Sequence, residues 1–257
     1  MAFQQKRVLF VDSADPKEIE EALRRGLQGV TTNPSLTAKQ PVIKAKSPFD
    51  QYVNHMNSIA EICANHQMED KDVPSLSVEV FSLEPEEMLD QARKIREFIP
   101  YENLAIKIPV SYDDGMVKRD YLPIIHELSL EMKINCTCCF SASQLQLASQ
   151  AGAQYVSLFY NRLIDYFNAL PNSRGNGQEL ALDELRVTRR YLDSNPKLES
   201  RIILGSIRNN YDIVNGWLNG ADIVTTSLKV LPGLIYHPAT DKSVKGFDED
   251  IQKWLNR

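Results

Sequence analysis

The segment LAIKIPV places Lys107 inside an otherwise apolar strand pattern. Because an uncompensated buried ammonium is costly, a protein has little structural reason to put one there. Desolvation also lowers the pKa of a lysine, which produces the free amine that attack on a carbonyl requires. The alternative is a lysine at a strand end whose side chain extends to solvent. From this segment alone the two interpretations are about even.

Two carboxylates belong to other apolar runs. Asp12 closes RVLFVD, and Glu79 lies in LSVEV. Imine chemistry needs an acid to dehydrate a carbinolamine and a base to accept a hydroxyl proton during C–C cleavage. Each residue has a plainer alternative, since Asp12 could be a helix N-cap or loop acid and Glu79 could be an ion-pair partner of Lys107. Neither alternative excludes catalysis, and the three residues together favour Lys107 as a nucleophile.

Other polar residues end or follow the remaining apolar runs. They are Asn33, Asn135, Thr137, Ser157, Arg162, Ser206 and Arg208. Barrels often bind phosphate after strands seven and eight, and guanidinium groups bind phosphate in a bidentate manner. Taken singly, either arginine is better interpreted as a surface salt-bridge residue, and Asn-Pro at Asn33 is an ordinary turn signal.

The elements that must position these residues follow one repeated pattern. Eight short runs are apolar without strict alternation, as in strands that are buried on both faces. They are RVLFVD, GVTTN, LSVEV, LAIKI, INCTCC, YVSLF, RIILGS and DIVTTS. Helical patterns separate them, so the sequence predicts an α/β fold in which residues 1–257 form a single (β/α)8 barrel with an additional C-terminal helix. An open doubly wound sheet is the weaker alternative because the first turn, DSADP, has no G-x-G-x-x-G.

The predicted helices are set by capping residues and apolar periodicity. Pro123 lies inside the fourth pattern and could mark its true beginning. Pro171 to Gly177 is interpreted as a loop between the sixth strand and its helix. The helical patterns cover Pro16–Arg25, Phe49–Asn65, Pro85–Phe98, Lys118–Glu131, Ser143–Ala151, Glu179–Leu192, Asn209–Asn219, an eighth beginning near Lys229, and the terminal Lys245–Asn256.

Composition limits the classes of partner. The net charge of −5 and the pI of 5.5 argue against nucleic-acid binding, which needs a basic face. No apolar run reaches transmembrane length, and the N-terminus lacks the features of a signal peptide, so no membrane partner and a cytoplasmic location are expected. Three of the four cysteines crowd into NCTCCF without a second pair at zinc-ligand spacing. They are therefore interpreted as buried thiols, and no metal site is expected.

The residues quoted above match a known family. The chain resembles the transaldolases and the related fructose-6-phosphate aldolases in FVDSADPKEI, GVTTNPSLTAK, LSVEV, NLAIKIPV, INCTCCFSASQ, AGAQYVSLFYNRLIDYF, ILGSIRN and GADIVTTSLKVLPGLIYHP. These segments follow the family's order over nearly the whole chain. The resemblance implies a Schiff-base enzyme of carbohydrate metabolism, in the pentose phosphate pathway, with sugar-phosphate substrates and no cofactor.

The resemblance also implies roles for matched positions. Lys107 matches the Schiff-base lysine, Asp12 the acid that handles the substrate hydroxyl proton, and Glu79 the acid that works through a bound water. Thr137 matches a threonine that helps to hold that water. The remaining matches bind the dihydroxyacetone unit (Asn33, Asn135 and Ser157) or the phosphate (Arg162, Ser206 and Arg208).

Two positions separate the subfamilies. The aldolase-like members carry Gln where this chain has Glu79 and Tyr where it has Phe159, so the chain resembles the transaldolases. A tyrosine hydroxyl there can position the water that frees dihydroxyacetone, whereas a phenylalanine leaves the adduct for an aldose acceptor. The alternatives are a fructose-6-phosphate aldolase, a donor with another anionic head group such as a sulfonate, and a catalytically silent barrel. Departures from the family pattern flank Arg162, at Leu158, Tyr160, Asn161 and the 171–177 loop.

The terminal pattern leaves the oligomeric state open. Lys245–Asn256 carries an apolar stripe at helical spacing, consisting of Phe247, Ile251, Trp254 and Leu255. The stripe could cover its own barrel, or it could pack on a neighbouring copy. Compact family members form rings through such a helix, so a homo-oligomer is expected.

Overall fold

A computed structural model describes residues 7–41, 46–66, 73–171 and 175–256. Ten strands occur in this part of the chain: β1 (Val8–Asp12), β2 (Gly29–Thr31), β3 (Ser75–Glu79), β4 (Leu104–Pro109), β5 (Ser111–Asp113), β6 (Lys118–Asp120), β7 (Lys133–Cys139), β8 (Tyr155–Phe159), β9 (Arg201–Gly205) and β10 (Ile223–Thr226). Eight of them close into a parallel barrel in the order β1-β10-β9-β8-β7-β4-β3-β2. The predicted (β/α)8 barrel is confirmed, and its strands are the eight apolar runs.

Helices surround the barrel. They are α1 (Pro16–Arg24), α2 (Pro34–Thr37), α3 (Pro48–Ala64), α4 (Pro85–Phe98), α5 (Leu122–Ser129), α6 (Ala142–Gln150), α7 (Tyr160–Ala169), α8 (Gly177–Ser194), α9 (Asn210–Leu218), α10 (Pro232–Ile235) and α11 (Pro238–Leu255). Several begin at a side-chain cap, as Asp15 accepts from Lys17 N and Ser47 from Asp50 N. Within the described residues no helix is long and apolar enough to cross a membrane.

The barrel interior is divided into an apolar floor and a polar mouth. Val8, Phe10, Ala105, Tyr155, Ile203 and Ile223 form a small cluster inside the strands, separate from the large core between strands and helices. Gly29 leaves room for the Phe10 ring, since a Cβ there would lie 2.6 Å from the ring carbons. The apolar floor keeps water out of one end of the barrel interior. The polar residues at the carboxyl ends of the strands therefore share the other, open end.

The helix predicted at Lys118–Glu131 is wrong at its beginning. Lys118–Asp120 is β6, which pairs antiparallel with β5 in a hairpin inserted after β4. Helix α5 begins at Leu122, beside Pro123. Proline has no N–H to donate within a helix and is tolerated only in the first turn, so a helix that contains Pro123 cannot extend further towards the N-terminus.

Two further expectations are corrected. The 171–177 segment does not join strand to helix, because the unpredicted helix α7 follows β8 directly and this segment lies between α7 and α8. Residues 172–174 of it lie outside the described part. The eighth helix is only a 3₁₀ turn at Leu228–Val230 followed by the short α10.

The terminal helix is longer than predicted and does not cover its own barrel. It begins at Pro238, where the His237 side chain accepts from Ala239 N, rather than at Lys245. None of its described residues is buried. Phe247 is 72% exposed, and the rest of the apolar stripe (Ile251, Trp254 and Leu255) is also exposed. Of the two alternatives that the sequence left open, the one in which this stripe covers its own barrel is therefore not observed.

Candidate active site

Strand register places a carboxylate beside the strand-four lysine. Glu79 and Lys107 are partners in the β3–β4 ladder, so their side chains enter the barrel together. Lys107 Nζ lies 2.8 Å from Glu79 Oε2 and donates to the Thr32 carbonyl oxygen at 2.6 Å. Lys107 is only 4% exposed, so its side chain does not extend to bulk solvent. The ion pair that was the plainer expectation for Glu79 is present, and it also provides a proton acceptor next to the amine.

Asp12 is oriented by neighbouring hydroxyls. Thr31 Oγ1 donates to Asp12 Oδ1 at 2.7 Å and lies 2.6 Å from Thr225 Oγ1. Burial raises the pKa of Asp12 above its ordinary value, although Lys107 and the Thr31 hydrogen bond act in the opposite direction. A carboxylate with a raised pKa accepts a proton more readily at neutral pH, as a general base must.

Asp12→Asn is expected to make the protein more stable at neutral pH. The folded state binds the Asp12 proton more tightly than the unfolded chain, so the free energy of unfolding falls as pH rises from the ordinary aspartate range through the raised pKa. An amide avoids this loss and can still accept from Thr31. The variant should show a higher Tm than wild type at pH 7, and the gap should narrow as pH falls towards about 4.

The matched control is Asp15→Asn, because Asn caps α1 as well as Asp does. Asp15→Asn should not raise the Tm at pH 7, and the difference between its Tm and that of wild type should not narrow as the pH falls. A lower Tm for Asp12→Asn at pH 7 would mean that ionised Asp12 stabilises the fold rather than straining it.

Three buried polar side chains on neighbouring strands are linked by hydrogen bonds. Asn135 Nδ2 donates to Ser77 Oγ at 3.1 Å, and Ser157 Oγ donates to Asn135 Oδ1 at 2.7 Å. These bonds fix the direction of the Asn135 amide, since its oxygen is already used as an acceptor. The predicted residues Asn135 and Ser157 thus lie together.

Thr137 occupies an irregular part of β7. Its Oγ1 is buried and has no hydrogen-bond partner among the described residues. The register of β7 against β8 shifts between Cys136 and Cys139, and Cys138 has a φ of 56°. A buried hydroxyl without a protein partner suits a site where a water completes the hydrogen bonding.

The polar mouth encloses a cavity of about 70 Å³. Eight of the eleven predicted site residues line it: Asp12, Asn33, Lys107, Thr137, Ser157, Phe159, Arg162 and Ser206. Glu79 and Asn135 lie behind this lining, bonded to Lys107 and Ser157 respectively. The Asn33 side chain also caps α2, accepting from Leu36 N at 3.0 Å, which is the local role expected of an Asn-Pro turn.

Arg162 brings a guanidinium into the cavity lining. The Arg162 guanidinium carbon lies 5.2 Å from the centre of the Phe159 ring. Ser206, at a φ of 61°, lies beside it in the cavity lining. Arg208 does not line the cavity, because its guanidinium is paired with Asp165 of α7. Arg162 and Ser206 could therefore bind an anion as the structure stands, and Arg208 could do so only after its side chain moves.

Sequence reasoning missed two polar residues of the lining, Thr31 as a partner of Asp12 and Thr225 beside it. It also missed Ser77, which holds Asn135, and the buried Asp212 behind Ser206. The signal available was the paired threonines in GVTTN and DIVTTS, one of which must face the barrel interior in each strand.

The sequence matches a known protein family over nearly its whole length. The family model described as "Transaldolase/Fructose-6-phosphate aldolase" matches residues 9–257. A probable transaldolase of Caldicellulosiruptor saccharolyticus is 36% identical over 95% of this chain and 97% of its own length. Those of Desulforapulum autotrophicum and Clostridioides difficile are 33% and 35% identical, over 96% and 94% of this chain and 99% and 95% of their own lengths.

Solved structures share the barrel at low identity. A 2,3-dimethylmalate lyase superposes with a TM-score of 0.56 at 12% identity, over 98% of this chain and 83% of that one. A thiamine phosphate pyrophosphorylase from Pyrococcus furiosus gives 0.52 at 13%, over 86% and 85%. These likenesses speak for the fold alone, whereas the family match spans the strands that carry Asp12, Glu79 and Lys107. The chain belongs to the transaldolase/fructose-6-phosphate aldolase family.

Proposed function

We propose that the protein is a transaldolase, which transfers a dihydroxyacetone unit from a ketose phosphate to an aldose phosphate through an imine on Lys107. Fructose 6-phosphate or sedoheptulose 7-phosphate is the proposed donor. The observation that carries the proposal is a buried lysine, ion-paired with Glu79, that opens onto the same cavity as the raised-pKa carboxyl of Asp12.

The first half of the reaction forms the imine. The Lys107 ammonium passes a proton to Glu79, 2.8 Å away, and the free amine attacks the C2 ketone of the donor. Glu79 then returns a proton, through a water held against Thr137 Oγ1, to the carbinolamine hydroxyl. Water leaves and the protonated imine remains on Lys107.

The second half breaks and remakes a C–C bond. Asp12 accepts the C4 hydroxyl proton while the C3–C4 electron pair moves into the imine, giving an enamine on Lys107 and an aldose phosphate that leaves. A second aldose phosphate enters, its carbonyl takes the electron pair from the enamine, and Asp12 returns the proton. Water then hydrolyses the resulting imine, with the proton transfers of Glu79 in reverse, which releases the product ketose phosphate and restores Lys107. Each step uses side chains and water, so the proposal needs no metal or organic cofactor.

Binding roles are assigned from the resemblance to the family, and of these residues Asn33, Ser157, Arg162 and Ser206 line the cavity. Asn33, Asn135 and Ser157 hold the hydroxyls of the dihydroxyacetone unit, and Arg162 with Ser206 holds the anionic head group, joined by Arg208. A donor with another anionic head group, such as a sulfonate, remains the alternative at this end, where Tyr160 and Asn161 are both buried.

The proposed activity is tested by supplying fructose 6-phosphate with and without erythrose 4-phosphate and measuring glyceraldehyde 3-phosphate. A transaldolase releases glyceraldehyde 3-phosphate in quantity only when the acceptor is present. Equal release without it would make the protein an aldolase that frees dihydroxyacetone. No release in either case would require another donor or a catalytically silent barrel.

Phe159→Tyr is expected to raise acceptor-independent release of dihydroxyacetone. The Phe159 ring lines the cavity and contacts Arg162 and Phe140, and the resemblance to the family implies that a tyrosine hydroxyl at this position can position the water that frees dihydroxyacetone. One added hydrogen bond to an attacking water corresponds to an increase of about tenfold. Phe98→Tyr, on an exposed ring at the end of α4, is the control and should not change the ratio of release to transfer.

A homo-oligomer is proposed from the terminal helix. An exposed apolar stripe on α11 is costly to leave in water, and a second copy could cover it. Light scattering should give a mass above that of one 29.2 kDa chain, and truncation after Ser243 should lower it to one chain. A full-length monomer would show that the stripe is left uncovered by copies of this chain.

A further inference from the structure

The second arginine of the anion end is held outside the cavity. Arg208 Nη1 donates to Asp165 Oδ1 at 2.9 Å, and its Nη2 donates to the other oxygen of the same carboxylate. Both side chains are more than half exposed, at 53% and 55%. A pair in that setting is weak, so a stronger anionic partner can displace the carboxylate.

The backbone beneath Arg208 is fixed. Asp212 is buried, and its Oδ2 accepts from Arg208 N at 2.9 Å and from Asn161 Nδ2 at 2.7 Å. Asn161 Nδ2 also donates to the Ser206 carbonyl oxygen at 2.8 Å, which holds that residue at its positive φ. Movement of Arg208 is therefore confined to its side chain.

The same helix carries both of the groups that decide where Arg208 lies. Arg162 and Asp165 are three residues apart on α7, which is about 4.5 Å along the axis, on neighbouring faces. Arg162 lines the cavity, whereas Asp165, three residues further along the helix, does not. Without an anion, two guanidiniums at the cavity end would repel each other, and Asp165 relieves this by accepting Arg208.

We infer that Asp165 is a specificity-determining residue, which holds Arg208 away from Arg162 until a dianionic head group draws the guanidinium into the cavity. A phosphate dianion can accept from Arg162, Ser206 and Arg208 together, and it cancels the repulsion between the arginines. An uncharged sugar cannot displace Asp165. The inference rests on the proposed function, which supplies a substrate with a phosphate group. It adds that the Asp165 carboxylate competes with this phosphate for Arg208.

Asp165→Asn tests the competition, with inorganic phosphate as the probe. An amide holds Arg208 less strongly than a carboxylate, so the Kd for phosphate, measured by calorimetry or from the rise in Tm, should fall about two- to fivefold. Asp90→Asn is the matched control, because it removes one negative charge from a similarly exposed pair with Lys94 on α4. It should leave the Kd unchanged.

Repeating the measurement in an Arg208→Ala background separates competition for Arg208 from the general effect of removing one negative charge. There, Asp165→Asn should change the phosphate Kd no more than Asp90→Asn does. An equal fall in Kd with and without Arg208 would overturn the inference, and so would an unchanged or raised Kd in the single variant. Fructose 6-phosphate kinetics add a second reading: KM should fall in the same proportion with kcat unchanged, whereas a structural disturbance would lower kcat.

Phosphate binding needs no chemistry at Lys107, so the two proposals fail separately. If no substrate can be trapped on Lys107 but Asp165→Asn still tightens phosphate binding through Arg208, the transaldolase proposal falls and the role of Asp165 stands. If a substrate is trapped on Lys107 but Asp165→Asn does not change the Kd for phosphate, the role of Asp165 is wrong and the transaldolase proposal stands.

Discussion

Lys107→Arg is expected to lower transaldolase turnover by more than about a thousandfold, because a guanidinium does not form the imine on which every later step depends. Arginine keeps the positive charge beside Glu79, so the buried carboxylate is not left alone. The fold should therefore survive, as checked by circular dichroism and Tm. Turnover is measured as acceptor-dependent release of glyceraldehyde 3-phosphate from fructose 6-phosphate.

The control for this substitution is Lys133→Arg at the beginning of β7, where the exposed lysine donates to Asn103 at the opposite end of the barrel. It should retain wild-type turnover. Near-normal activity in Lys107→Arg, with the fold intact, would remove Lys107 from the mechanism and with it the proposed covalent intermediate.

Glu79→Gln is expected to lower kcat by about 10²- to 10⁴-fold, the usual effect of losing a general acid–base group. The amide can still accept a hydrogen bond from Lys107, and the Thr32 carbonyl oxygen remains 2.6 Å from Nζ. It cannot take the ammonium proton or return one to the carbinolamine. Both imine formation and its hydrolysis should slow, while KM for the donor should change little.

Glu84→Gln provides the comparison, since Glu84 is an exposed acid five residues further on that pairs with Arg119. Its loss should leave kcat at the wild-type level. If Glu79→Gln retained wild-type kcat, Glu79 would be only the structural partner of Lys107, the plainer alternative that the sequence left open.

The strands of the barrel were predictable because each is an apolar run that is buried on both faces and ends in polar residues. The register of β3 against β4 then follows from the fold, and it brings Glu79 to Lys107 without any further information. Eight of the eleven predicted residues line one cavity for the same reason: the ends of parallel strands share one face of a barrel.

Helix α7 was not predictable from capping signals. It begins at Tyr160, directly after β8, and Phe159 at its N-cap makes no side-chain cap bond. The hairpin of β5 and β6 was hidden because Lys118–Asp120 is too short to show a strand pattern of its own. In both cases tertiary packing, rather than a local signal, decides the structure.

Taken singly, Arg208 was interpreted from the sequence as a surface salt-bridge residue, and its exposed pair with Asp165 agrees with this. Its place after β9 also predicts a guanidinium near the anion end, and Ser206, two residues before it, lines the cavity. Whether the Arg208 guanidinium lies in the cavity or against Asp165 depends on which charges attract it more strongly. The spacing of residues along the chain does not give this. The same limit applies to the exposed stripe of α11. Helical periodicity predicts that this helix has an apolar face, but it does not predict what covers that face.

The most direct test of the covalent mechanism is borohydride reduction during turnover of fructose 6-phosphate, followed by mass spectrometry of the intact protein and its peptides. One reduced dihydroxyacetone adduct per chain is expected, located on the peptide that contains Lys107 and absent from the Lys107→Arg variant. An unmodified protein that turns over substrate, or an adduct on a different lysine, would contradict the assignment of Lys107 as the nucleophile.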